Sequence, residues 1–419
     1  MQKKLNVQNL YKIFGSRVKD ALERAKDGQR KDRIFEETGA IVAVNGVSFG
    51  VRHGEIFVVM GLSGSGKSTL VRCINRLIEP TSGTIEIDGE DVGSANPEQL
   101  RRIRRDKTAM VFQHFALFPH MSVAENVEYG LKVRGIEPGK RREQALDALD
   151  MVGLAGWADT YPDNLSGGMQ QRVGLARGLA VDPQILLMDE PFSALDPLIR
   201  RDMQDELLAL QKRLGMTIVF ITHDLHEALK LGANVAIMRD GRFVQIGKPE
   251  SVVDAPADDY VSAFTRDVDR GRVLTVGSIA KETVPLVRGR DTPKTAATRM
   301  VNGASNALHV VDREGRAMGI VTAHSLAGET QPKELDEIMR PDFPRCDPHA
   351  LLSEVYKECS TGLPLAVVDA AGHLIGVVDP LEVFSQLIQG DGSDGHAKPD
   401  SPNDRPASQN LAVKQDAEA

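Results

Sequence analysis

A few short stretches of this sequence carry side chains of the types and spacing that handle phosphate. The apolar run GEIFVVM is followed at once by GLSGSGKST, so Gly61, Gly66, Lys67 and Ser68 fall in the pattern Gly-x-x-x-x-Gly-Lys-Ser between a strand and a helical pattern. Glycines let the backbone curl there until successive N–H groups and a helix N-terminus face a phosphate chain. Lys67 supplies a point charge for the β- and γ-phosphates, and the Ser68 hydroxyl is offered to Mg2+. Further on, QILLMDEP is a continuous apolar run, as a central parallel strand requires, and it ends in Asp189 and Glu190. In open α/β sheets the ligand lies beyond the carboxyl ends of the strands. Asp189 is therefore placed to hold the hydration shell of Mg2+, and Glu190 to face an attacking water. These motifs specify a P-loop NTPase and leave kinases, helicases, recombinases and transport ATPases open.

The stretch LSGGMQQR, Leu165 to Arg172, narrows that choice. Ser166 with Gly167 and Gly168 opens a helix, which makes a second N-terminus that attracts anions. At these residues the sequence resembles the ABC ATPase family, whose signature they match. The resemblance implies that ATP is bound by Gly61, Leu62, Ser63, Gly64, Ser65, Gly66, Lys67, Ser68 and Thr69 of one chain and covered by Leu165, Ser166, Gly167, Gly168 and Gln170 of a second copy. It further implies that Gln113 in MVFQHFALF senses Mg2+ and the attacking water, and that the segment after it docks a coupling helix of a membrane subunit. Ser193, Ala194, Leu195 and Asp196 match the loop that crosses the dimer interface, and His223 in VFITHD matches the switch histidine that touches the γ-phosphate. Glu190, His223 and Gln113 become the catalytic set, with Ser68, Gln113 and Asp189 around Mg2+. Phe14 in YKIFG is the candidate for stacking on adenine, with Tyr11 as the alternative.

The elements that must position these residues alternate between strand and helix signals as far as Phe264. The expected fold is α/β: an ABC ATPase domain over 1–265, with a RecA-like core, an antiparallel β subdomain and a helical subdomain. Within it, SRVKDALERAKDGQRKDRIFEETGA is an insertion. Val18, Ala21, Leu22 and Ala25 fall at helical spacing there and predict a short amphipathic helix packed on the domain surface. A charged connector over 266–278 leads to a repeat 57 residues apart, ALHVVDREGRAMGIVT and PLAVVDAAGHLIGVVD, each copy an apolar strand, an Asp-x-x-Gly turn and a second strand. The texture NLYKIFG, NRLIEPTSG and DEPFSALDPLIRRDMQDEL, with that repeat behind it, is similar to the glycine betaine/proline importer ATPases. There the repeat over 279–388 corresponds to an α+β tandem CBS pair with a regulatory role. CBS sites for adenosyl nucleotides combine a hydroxyl with an acid. The first copy has Thr322-Ala-His-Ser325 without the acid and the second Asp379-Pro-Leu-Glu382 without the hydroxyl, which speaks against such a ligand.

Composition agrees with a soluble machine that works through partners. Of 419 residues 41% are hydrophobic and 26% charged, and no apolar run approaches the roughly 18 residues of a membrane span. The N-terminus lacks the apolar segment of an export signal. Cys73, Cys346 and Cys359 have no ligand spacing and read as buried or neutral thiols, and a net charge of −8 gives no overall footprint for nucleic acid. The expected cofactors are ATP and Mg2+. The expected partners are a second copy, transmembrane permease subunits and, indirectly, a periplasmic or lipid-anchored substrate-binding protein, with no nucleic acid. The expected place is the cytoplasmic face of the inner membrane, held through the permease. Residues 389–419, rich in Gly, Pro, Ser and Asp, read as a disordered acidic tail. Uptake of another small solute is the alternative, and a soluble ABC ATPase acting on DNA or ribosomes is the alternative from a different class.

Overall fold

In the computed structural model, residues 3–113, 116–266, 268–303, 305–327 and 334–388 are described; the tail expected over 389–419 lies outside them. Strands β1 (Lys3–Phe14) and β2 (Ile41–Arg52) pair antiparallel. The insertion between them forms two helices rather than the single one its periodicity suggests: α1 (Val18–Lys26) and α2 (Lys31–Thr38). Ala21 and Ala25 of α1 and Ile34 of α2 meet Ile13, Ala40 and Val42 in a small core of their own. That core presses α2 against the body of the domain.

The apolar run at 56–60 becomes β3 (Ile56–Met60), followed by α3 (Lys67–Ile74), β4 (Ser82–Ile87), β5 (Glu90–Asp91), α4 (Pro97–Asp106) and β6 (Thr108–Val111). A helical region of α5 (Val123–Val133), α6 (Pro138–Met151) and α7 (Gly167–Ala180) comes next. The chain then alternates through β7 (Ile185–Asp189), α8 (Pro197–Leu214), β8 (Thr217–Thr222), α9 (Leu225–Leu231), β9 (Asn234–Arg239) and β10 (Arg242–Gly247), and closes on α10 (Pro249–Asp254) and α11 (Asp259–Thr265). Two sheets result, ordered β2-β1-β4-β5 and β10-β9-β3-β8-β7-β6. The second is parallel from β9 to β6 and is covered on both sides. Ile56, Val58 and Met60 of β3 enter the core shared with α5 to α9, whereas Phe57 and Val59 enter the one shared with α3 and the antiparallel sheet. Burial on both faces is why these strands are unbroken apolar runs.

After α11 the repeat takes over. Following α12 (Val276–Ile279), the first copy is β11 (Leu286–Val287), α13 (Pro293–Gly303), β12 (Ala307–Val311), β13 (Ala317–Thr322) and α14 (Ala323–Leu326). The second is β14 (Arg345–Cys346), α15 (Tyr356–Cys359), β15 (Leu365–Val368), β16 (Leu374–Val378) and α16 (Pro380–Ile388). Val310 faces Gly319 in one hairpin and Val367 faces Gly376 in the other, so the sequence register is also the pairing register. Asp312 accepts from the N–H groups of Glu314 and Arg316, and Asp369 from those of Ala371 and His373, which explains the Asp in both turns. The two tips bond each other, Ala317 N–H to Gly372 O and Leu374 N–H to Gly315 O at 3.0 Å each. The polar groups at the start of α14 and α16 act as local caps. Thr322 accepts from the Ser325 N–H, and Asp379 from the Leu381 N–H.

At a buried position the copies differ in polarity: His309 stands opposite Ala366 in the repeat register. His309 is 3% exposed and donates to the Pro364 carbonyl, while Nε2 has no partner among the described residues. Burial pushes its imidazole down from 6.5 to about 4, partly opposed by that hydrogen bond. The folded chain therefore holds this proton less readily than the unfolded one. The stability the neutral ring contributes is complete above about pH 6.5 and is lost as pH falls toward 4, a change of about 3 kcal/mol. Thermal melting across that window should show the repeat losing stability in the parent chain and losing much less in His309→Leu.

Candidate functional site

The site is assembled where β3, β8 and β7 end side by side. Met60 pairs with Thr222 and Asp189 with Ile221, so the residues that follow, Gly61, His223 and Glu190, leave the sheet at one level. Gly61 and Gly66 have φ of 155° and 106°; a Cβ at either would lie 2.2 Å from Met238 O or 2.1 Å from Ala43 O. Only glycine lets the loop pass that close to its neighbours. Lys67, 4% exposed, donates Nζ to Gly61 O at 2.9 Å and Leu62 O at 3.1 Å, and lies 3.6 Å from Glu190 Oε1. Burial lowers its pKa, and the neighbouring Glu190 carboxylate works against that. The ammonium is thus satisfied by its own loop, in place to exchange those carbonyls for phosphate oxygens.

Asp189, 2% exposed, accepts the Ser68 hydroxyl on Oδ1 at 2.7 Å, and Arg72 Nη2 lies 3.2 Å from Oδ2. This hydroxyl and carboxylate are the donors Mg2+ takes when it shares its shell with phosphates and water, so the residues fit that ion. Glu190 has φ 48°, unusual for a side chain with Cβ, and its backbone is pinned by donation of its N–H to Ile221 O at 3.0 Å and by acceptance from the Ser193 hydroxyl at 3.0 Å. This conformation aims the carboxylate at His223, whose Nδ1 is 2.9 Å from Oε2. Proline at 191 and the tight turn through Ser193 follow directly.

A cleft of about 600 Å³ runs over this loop. Ser63, Gly64, Gly66, Lys67, Ser68, Thr69, Gln113 and Glu190 line it, so a large share of the sequence-derived ATP set and two of the catalytic residues come together. The far wall was not anticipated. It is the inserted helix α2, through Lys31, Asp32, Phe35 and Glu36, continued by Ile41, Val42 and Ala43. Phe35 is 53% exposed on that wall. Neither Phe14 nor Tyr11 is among the lining residues. Ile13 turns into the core of the insertion, and its neighbour Phe14 carries the Lys12 ammonium 4.6 Å above its ring. Tyr11 packs on the insertion core instead.

The signature residues lie outside the cleft of their own chain. Ser166 caps α7 and accepts from the Met169 N–H at 3.3 Å, and Gln170 donates to Pro162 O and Leu165 O, fixing the approach to the helix. A Cβ on Gly168 would stand 2.6 Å from Ile199 Cγ2 of α8, so close packing also demands that glycine. Leu165 is buried beneath. Asp196 caps α8 through the Ile199 N–H, and Ala194 and Leu195 lie between that cap and the Ser193 anchor on Glu190. The helix end that should seek phosphate is therefore built, and none of its described residues lines the cleft of its own chain.

Residues 44–193 match the family described as ABC transporter, and residues 276–329 and 335–388 match that described as CBS domain. The chain is 48% identical over 379 residues to the glycine betaine transport ATP-binding protein OpuAA of Bacillus subtilis, covering 90% of each. It is 45% identical over 397 residues to the glycine betaine/proline betaine transport system ATP-binding protein ProV of Salmonella typhimurium, covering 94% of this chain and 99% of that one. Among solved structures it is similar to a dimeric post-hydrolysis state of an ATP-binding cassette bound to ADP and Pi. That likeness has 33% identity and a TM-score of 0.50, over 58% of this chain and 98% of the other.

Proposed function

The chain belongs to the ATP-binding subunits of ABC transporters and is an ATPase of that class; from that premise we propose that two copies close on ATP to drive uptake of glycine betaine- or proline-type osmoprotectants through separate membrane permease subunits. The observation that carries the hydrolytic part is the Glu190 carboxylate, held 3.6 Å from Lys67 Nζ and 2.9 Å from His223 Nδ1. Likeness along nine tenths of the chain to proteins whose names specify glycine betaine transport supports the solute class. In the closed dimer Glu190 polarises water for in-line attack on the γ-phosphate, Lys67 and His223 hold the phosphate, and Gln113 contacts the Mg2+ shell. Ser68 and Asp189 would hold Mg2+, which when bound would supply positive charge against the charge that develops on the phosphates. The signature of the second copy, Leu165 to Gln170, completes the phosphate cradle, and the permease holds the pair at the cytoplasmic face of the membrane.

We assign the base stack to Phe35 rather than Phe14. An aromatic stack is worth about 1–3 kcal/mol per base, so Phe35→Ala should weaken ATP binding about 5- to 150-fold, with Phe14→Ala near the parent value. Titration of a fluorescent ATP analogue reads both, and equal affinities for the parent and Phe35→Ala would return the assignment to Phe14.

The repeat gates this activity with the salt around it, since charged surfaces lose their attraction as the Debye length shrinks from about 10 Å at 0.1 M. Removing residues 279–419 should leave ATP hydrolysis and abolish its salt activation; an unchanged salt profile rejects the gate. The solute is tested by uptake of labelled glycine betaine, choline and proline in cells with and without this chain, at low and high osmolarity. Uptake that does not depend on the chain contradicts the proposal.

A further inference from the structure

The interface loop Ser193–Asp196 and the switch residue His223 follow different strands, yet one set of side chains joins them. Arg200, in the first turns of α8, donates Nη2 to the Leu195 carbonyl at 3.0 Å and brings Nη1 within 3.4 Å of Asp224 Oδ2. Its Nε is buried without a hydrogen-bond partner among the described residues and lies 3.8 Å from Glu227 Oε1. Glu227, 4% exposed on α9, accepts the Thr222 hydroxyl at 2.6 Å and Gln204 Nε2 of α8 at 3.2 Å. Thr222 in turn accepts the Asp224 N–H at 2.9 Å, so both neighbours of His223 are held. His223 reaches Glu190 at 2.9 Å, and Ser193 returns to the Glu190 carbonyl at 3.0 Å. The path leaves Glu190 through one loop and comes back through the other.

Short loops after strands have soft dihedrals, and nothing in their own sequence fixes the distance between them. A guanidinium is planar and offers several donors at set angles, so a single Arg addresses both loops at once where an ammonium would choose between them. A buried carboxylate is a poor device for stability alone, because apolar side chains of similar volume serve as well. Burial raises the Glu227 pKa, with the Thr222 hydrogen bond as the main opposing influence. Its place is better explained by geometry than by stability.

We propose that Arg200 and Glu227 are positioning residues that lock the interface loop to the switch loop, so that docking of the second copy on Ser193–Asp196 sets the orientation of His223 and Glu190. The proposal rests on the dimer reading given above. Its closest relatives in effect are misplacements of about 1 Å remote from the chemistry, which lower rates by up to about 100-fold.

The test is steady-state hydrolysis by the full-length chain carrying Arg200→Ala, Arg200→Lys or Glu227→Gln, with melting temperature and ATP-driven dimerisation measured on each. Arg200→Ala should lower kcat between about 10- and 100-fold with KM for ATP unchanged, and should remove the cooperativity of the ATP dependence. Arg200→Lys should fall between it and the parent, and dimerisation should persist in both. A parent-like kcat for Arg200→Ala overturns the proposal. So does a kcat loss matched by a collapse of melting temperature in both Arg200 variants, the mark of a purely structural role. Should Glu227→Gln not fold, the part-exposed Arg200 still decides the matter. Failure of the unsubstituted chain to dimerise with ATP overturns the underlying dimer reading, and this proposal with it.

Discussion

Replacing Glu190 by glutamine leaves ATP binding intact and lowers turnover by at least about 100-fold, the usual scale for loss of a general base. Size and hydrogen-bonding shape are kept, so the contacts of the 190–193 turn survive: the N–H to Ile221 O, the carbonyl accepting from Ser193. What disappears is the negative charge facing Lys67 and His223, and with it the group that draws a proton from water. Binding is measured by protection of the chain against heat or protease, turnover by phosphate release. A variant that hydrolyses ATP near the parent rate removes Glu190 from the mechanism.

Lys67→Ala has the second large effect and a different signature. Hydrogen bonds to charged groups contribute about 1.5–3 kcal/mol each, so loss of the ammonium from the phosphates should weaken ATP binding by roughly tenfold or more. In the parent chain the Lys67 ammonium already satisfies Gly61 O and Leu62 O, and alanine leaves those carbonyls without that donor. The loop itself should persist, because its shape is set by Gly61 and Gly66 against Met238 O and Ala43 O rather than by the lysine. Lost ATP protection with an unchanged melting temperature for the free chain is the expected result. Retained protection contradicts the role.

The parts of this site that were legible in the sequence are those where function and local structure use the same few consecutive residues. Gly61 to Thr69 is one loop and one helix start, and Asp189 with Glu190 is one strand end, so pattern and chemistry coincide. The repeat was legible for the same reason, since a hairpin writes its register into the spacing of Asp312, Gly315 and Gly319. Arg72 was missed although a signal existed: it stands four residues after Ser68 on α3, hence on the same face, and both reach Asp189. Helix α2 had no such signal. KDRIFEET is short, and of its side chains Ile34 is the fully buried apolar one, so periodicity stopped at α1. Its meeting with the phosphate loop depends on the packing of Ile34 against Ile13 and Val42, which is tertiary. Arg200 and Glu227 are likewise joined across two helices and two loops, and no spacing along the chain reports that.

In the proposed dimer ATP is held between two chains, the phosphate loop of one against the signature of the other. The most direct measurement is the solution mass, by light scattering, of Glu190→Gln with and without Mg2+ and ATP. Trapped before hydrolysis, this variant should pass from monomer to dimer when ATP is added, and a further Ser166→Arg change should block that step while ATP still binds. A Glu190→Gln chain that binds ATP and remains monomeric would contradict the shared ATP site.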